Sequence, residues 1–157
     1  MIKPKKIRIK KFNDKRGSFI KILSYQQKKK IFNNKVAEIN LSINKKKGII
    51  RGLHYQSKFK EKKLVYCLKG KVVDYCVNVK SSKIYKFNLK ENDNYALLVP
   101  ENYAHGFQTL KDNTVLIYIH SNLYSKNYEK TLNPLSKKLK INWPIKKIII
   151  SKKDRNS

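Results

Sequence analysis

Three histidines and the polar residues around them mark where this chain could do chemistry. In "GIIRGLHYQ", positions 48 to 56, Arg51 stands three residues before His54, and Gln56 follows two further on. An imidazole titrates near pH 6.5, which suits it to moving protons near neutrality. In an extended strand His54 and Gln56 point to the same face. If that face lines a barrel interior, the pair demands a ligand or a hydrogen-bond network, because an unpartnered buried polar group is costly. A ligand cavity is the obvious use of such an interior. In "PENYAHGF", 100 to 107, a turn leads into a strand holding His105, and Gly106 leaves room for a ligand or another backbone to approach. "TVLIYIHSNLY" alternates so that Leu116, Tyr118 and His120 share one face, where a tyrosine serves as core, as rim or as a general acid. His54, Gln56, Glu61 and His105 also admit a metal reading, since small barrels hold iron, nickel or zinc through His and carboxylate ligands. Against it, Gln56 stands where the second histidine of a His-x-His pair would be.

These residues need strands to hold them. Period-two alternation runs through "SFIKIL", "KLVYCL", "KVVDYCVNV", "IYKFNL", "YALLVP" and "TVLIYI". Breakers separate the runs at Lys69-Gly70, Ser81-Ser82, Glu91 to Asn94, Pro100 to Asn102 and Lys111 to Asn113. No helical period stands out from 18 to 120, so the pattern predicts an all-β antiparallel sandwich or barrel, with little helix, confined to a turn or two near 125-139. The closing "INWPIKKIIISKKDRNS" reads as an extended arm, partly disordered on composition, which makes Asp154 a solvated tail residue.

The length of 157 residues fits one domain, 1-157, with a real core. No run of about 18 apolar residues suggests a membrane span, and no apolar stretch follows the charged N-terminus as in a secretory signal, so a cytoplasmic protein is expected. Cys67 and Cys76 lie in apolar runs without zinc-ligand spacing and read as reduced core thiols. The formal charge of +28 invites a nucleic-acid reading. Yet Arg8, Arg16, Arg51 and Arg155 are its only arginines, and lysine is spread from end to end. Nucleic-acid readers cluster arginine and interleave aromatics. A coding bias toward Lys, Asn, Ile and Tyr explains the charge without a nucleic-acid partner, and the positive field would still speed capture of a small anion.

The blocks "RGLHYQ", "KLVYCLKGKVVDYCVNV", "PENYAHGFQTL" and "INWP", in this order and spacing, resemble the dTDP-4-dehydrorhamnose 3,5-epimerase family of cupin-like jelly-roll barrels, over about 13 to 154. The resemblance implies conversion of dTDP-4-keto-6-deoxyglucose to dTDP-4-keto-rhamnose without metal or cofactor, by deprotonating the carbons beside the keto group and reprotonating their opposite faces. It implies His54 as base, Asp154 as the carboxylate that fixes its tautomer, Lys63 beside the keto oxygen and Tyr118 as proton donor from the other face. His105 and Asp74 match further site positions, Asp74 as partner for a cation or for His105. In "NDKRGSF", Arg16 would meet the diphosphate and Phe19 would stack on the base, with Arg51 a second diphosphate contact. Asn40 and Gln56 complete the implied substrate-binding set. The segment at 13 to 21 can reach into a neighbouring subunit in the family, so a homodimer is implied. Two positions depart from the family: Lys21 stands where Glu is usual, and Glu38 where Gln is usual. A Lys21–Glu38 pair would compensate both, while a changed base preference is the other consequence. Single-carbon epimerases of other nucleotide sugars, and a metal-binding or non-catalytic barrel, are the alternatives.

Overall fold

The computed structural model describes residues 2–157. A five-stranded antiparallel sheet runs in the order β1 (Lys5–Arg8), β9 (Tyr95–Val99), β6 (Lys63–Lys69), β11 (Thr114–His120), β4 (Glu38–Asn44). A second sheet runs β12 (Glu129–Thr131), β5 (Ile49–Gln56), β10 (Tyr103–Thr109), β7 (Lys71–Asn78), β8 (Ile84–Lys90), with β13 (Ile149–Ile150) parallel to β5. A separate hairpin pairs β2 (Lys10–Asp14) with β3 (Gly17–Lys21). This is the all-β architecture that alternation predicts, and the breakers fall where strands end.

Alternation sorts the core. On β6, Val65 and Cys67 face inward with Cys76, Tyr103, Phe107 and Leu116, while Leu64 and Tyr66 face outward. On β7, Val73, Tyr75 and Val77 pack on the outer side with Trp143. Both strands are thus buried on both faces, which explains why they read as apolar runs. Both cysteines are free and buried, and burial pushes the Cys67 thiol up to about 12.

The helices fall elsewhere than the sequence suggests. α1 (Tyr25–Phe32) forms behind a capping box, Ser24 with Gln27, and ends at Asn33 in the left-handed conformation. Only Ile31 and Phe32 of α1 are buried, so it carries almost no apolar period. Residues 125–139, expected to hold helix, are turns around β12 instead.

The C-terminal arm is ordered, against the composition-based expectation. Its Trp143 is 4% exposed, packs edge-on to Tyr75 with ring centroids 4.8 Å apart, and donates from Nε1 to the Pro134 carbonyl at 2.8 Å. The buried Gln108 amide bonds both backbone groups of Ile145, at 2.8 and 2.9 Å. The arm therefore forms a third layer on the outer face of the second sheet. It ends in α2 (Lys152–Arg155), capped by Ser151.

Candidate active site

The inner faces of the two sheets enclose an open cavity of about 900 Å³. From the second sheet it is lined by Arg51, His54 and Gln56 of β5 and by His105 of β10. Glu38 and Asn40 of β4, Lys63 of β6, and Tyr118 and His120 of β11 line the opposite wall. Asp154 closes the set from α2. The cavity thus gathers eleven of the residues singled out in the sequence, Glu61 and His120 among them.

β5 and β10 approach unusually closely beside His54. A Cβ added to Gly106 would stand 2.5 Å from the Arg51 carbonyl and 2.9 Å from the Gly52 Cα, so both glycines are required there. The backbone that Gly106 admits is β5, and the β5–β10 register shifts between His105 and Phe107.

His54 Nε2 lies 2.8 Å from Asp154 Oδ1, and the Gly52 amide donates to Asp154 Oδ2 at 3.2 Å. Asp154 is 5% exposed, held by the arm rather than solvated. With Nε2 committed to the carboxylate, Nδ1 is the ring nitrogen left to exchange a proton. It stands 3.9 Å from Glu129 Oε1. Glu129 in turn binds Lys153 and accepts from the Tyr124 hydroxyl at 3.1 Å. Burial raises the Glu129 pKa, but the Lys153 hydrogen bond, His54 and Tyr124 outweigh it and hold the carboxyl below its ordinary range.

Across the cavity, burial together with Asp74 pushes the Tyr118 phenol well above its ordinary range, so it keeps its proton at neutral pH. The His105 and Tyr118 ring centroids are 6.0 Å apart. His105 Nδ1 lies 3.4 Å from Asp74 Oδ2, so Asp74, itself behind the wall, partners His105. Burial drives His105 below its ordinary pKa although Asp74 opposes the shift. Glu61 binds His120 Nδ1 at 2.8 Å and Lys63 Nζ at 3.2 Å. Burial raises its pKa, and His120 and Lys63 bring it below the usual value. Arg51 donates to Asn44 Oδ1 at 2.9 Å, and the buried Gln56 Oε1 has no partner among the described residues.

The metal set read from the sequence does not assemble. His54, His105 and His120 each face a different carboxylate, and among the described residues no group of three His, Cys, Asp or Glu side chains could hold an ion. Arg16, Phe19 and Lys21 lie on the β2–β3 hairpin, outside this chain's cavity. Arg16 pairs with Asp14 at 2.5 Å, and Phe19 is 67% exposed beside Phe12. The expected Lys21–Glu38 pair does not form within the chain: Glu38 accepts from the Tyr124 amide at 2.8 Å and from Asn40 at 3.2 Å. Lys21 sits opposite Lys10 in the hairpin register instead. Tyr124, Glu129 and Lys153 were missed in the sequence, and nothing in their spacing could have linked them.

The family model described as dTDP-4-dehydrorhamnose 3,5-epimerase matches residues 4–157. The enzyme of that name from Shigella flexneri is 34% identical over 152 residues, covering 92% of this chain and 84% of the relative. The crystal structure of the Sulfolobus tokodaii dTDP-4-dehydrorhamnose 3,5-epimerase is 38% identical with a TM-score of 0.85, covering 96% of this chain and 86% of that one. A Legionella pneumophila 3,5-epimerase solved with dTDP-4-keto-L-rhamnose has a TM-score of 0.89 at 27% identity, covering 98% and 86% of the two chains. Barrel, cavity and sequence agree: this chain belongs to the dTDP-4-dehydrorhamnose 3,5-epimerase family.

Proposed function

We propose that the chain, as one domain over 1–157, inverts C3 and C5 of dTDP-4-keto-6-deoxyglucose to give dTDP-4-keto-L-rhamnose, needing no metal or cofactor. The observation that carries this reading is the placement of His54, backed by buried Asp154, on one sheet and the protonated Tyr118 phenol on the facing sheet. A carbon beside a ketone loses its proton only if a base and an enolate stabiliser act together. His54 Nδ1 takes the proton, and Asp154 supports the resulting imidazolium. Lys63 faces the developing oxyanion at C4. Tyr118 then delivers a proton to the opposite face of the carbon, which inverts it. Arg51 holds the diphosphate, with Asn40, Gln56, Glu38 and His105 around the rest of the substrate.

The hairpin residues serve a second copy. Arg16 and Phe19 lie outside their own cavity and exposed, so they suit a partner's diphosphate and base, and Lys21 travels with them. The outer face of edge strand β4 supports a homodimer, with Ile39, Leu41 and Ile43 each about 60% exposed in one apolar row. The dimer is cytoplasmic, a reading that its two free, buried thiols favour. Among the described residues, no helix is long and apolar enough to cross a membrane.

Proton NMR of the substrate in deuterated buffer tests the assignment. Loss of both the C3 and C5 signals with a rhamno-configured product is the expected result. Loss of one alone would make the chain a single-carbon epimerase, and loss of neither would overturn the reading.

A further inference from the structure

The cavity holds a third histidine–carboxylate pair, and the proposed reaction leaves it idle. His120 Nδ1 lies 2.8 Å from Glu61 Oε1, the same separation as His54 from Asp154. His120 is two residues beyond Tyr118 on β11, on the same face, with ring centroids 6.1 Å apart. In register it sits between Glu38 of β4 and Lys63 of β6, and Glu61 closes over it from the β5–β6 connection. The groups facing it are therefore two carboxylates, one ammonium and the Tyr118 phenol.

Double inversion asks Tyr118 for two protons per product. Each leaves a phenolate in a buried site near Asp74, where the charged form is strongly disfavoured. The phenol must therefore be recharged before the second carbon can invert. His105 is as near, at 6.0 Å, but it is 6% exposed, tied to Asp74 and kept neutral by burial. His120 has a side chain 14% exposed, within reach of solvent, and its Nδ1 is held by the buried Glu61 carboxylate.

We infer that His120, held by Glu61, is a relay that returns a proton from solvent to Tyr118 between the two inversions. This rests on the function proposed above. As the C–H bond forms on the enolate carbon, the Tyr118 O–H bond breaks and a phenolate remains. The imidazolium N–H of His120 then breaks as its proton passes, through bridging water, to the phenolate oxygen. The neutral imidazole takes a proton from solvent, while His54 releases to solvent the proton it abstracted, so the count balances. His120 touches no reacting atom: it is a positioning and relay residue, and Glu61 orients it.

The test follows exchange and inversion separately, by NMR of dTDP-4-keto-6-deoxyglucose in deuterated buffer, with full-length H120N. The expected result is deuterium uptake at C3 near the wild-type rate, because His54 is intact, with inversion slowed by about 10- to 100-fold. Added imidazole at about 100 mM should recover part of the inversion rate, because a free acid can reach the cavity in place of the lost side chain. H120Q, which retains a hydrogen-bonding group toward Glu61, should behave as H120N does and stands in if H120N fails to fold. Equal losses of exchange and inversion without imidazole rescue, or unchanged inversion, would overturn the relay. Wild-type protein that exchanges neither C3 nor C5 would instead refute the function proposed, and the relay with it.

Discussion

His54 Nε2 and Asp154 Oδ1 are 2.8 Å apart although 100 residues separate them in the chain, and the contact is made by an arm that crosses the outside of the barrel. The carboxylate fixes which ring nitrogen is free, so its loss should act on every proton abstraction. Asp154→Asn is expected to slow C3 and C5 exchange alike by about 10²- to 10⁴-fold. Tyr118→Phe should preserve C3 exchange and stop inversion. The same NMR assay reads both, and a Tyr118→Phe enzyme that inverts normally would remove that residue from its role.

Stability should fall with acid in two stages. Burial holds the folded-state pKa of His105 below its ordinary 6.5, so between the two values the unfolded chain carries a proton that the folded chain lacks. That contribution is whole above about pH 6.5 and is lost as pH falls toward the folded value. Glu61 and Glu129 are likewise held below the ordinary 4.5, and their contribution is lost as the pH falls below that value. Calorimetry from pH 8 to 4 should show a flat Tm, then a decline below about 6.5 that His105→Gln removes. A Tm constant down to pH 5 would contradict the burial argument.

Trp143 secures the arm. Trp143→Ala is expected to cost about 3–5 kcal/mol in denaturant unfolding, the usual range for deleting a buried tryptophan. Because the arm carries Asp154, turnover should fall with it. Trp143→Phe retains most of the packing against Tyr75 and should lose less of both.

Sharing of sites between copies can be read by complementation. Arg16→Ala and His54→Asn chains should each be nearly inactive as homodimers. If the hairpin reaches a second copy as proposed, one cavity of a mixed dimer has an intact His54 and receives an intact Arg16, so mixing after dissociation should restore activity. No recovery on mixing would place Arg16 at its own cavity or outside any.

The strands were legible because alternation and turn residues mark them directly, as at Lys69-Gly70 between β6 and β7. α1 was hidden because "YQQKKKIF" buries only its last two residues, leaving the Ser24–Gln27 capping box as its one local signal. The arm misled in the opposite way: its polar composition suggested disorder, whereas Trp143 and the Gln108–Ile145 bonds tie it down. Without a family likeness, Asp154 would pass for tail. The Glu61–His120 pair, 59 residues apart, could not be inferred from spacing, since it depends on β11 lying beside β6.

A screen of random substitutions would be expected to map this enzyme as two islands rather than one. One is the cavity wall. The other is the outer surface of the second sheet, where Trp143, Tyr75 and Gln108 never approach a sugar and yet determine whether His54 meets its carboxylate. Alleles from that second island would lose activity and stability together, whereas those from the cavity wall would lose activity alone, so scoring both separates the two islands.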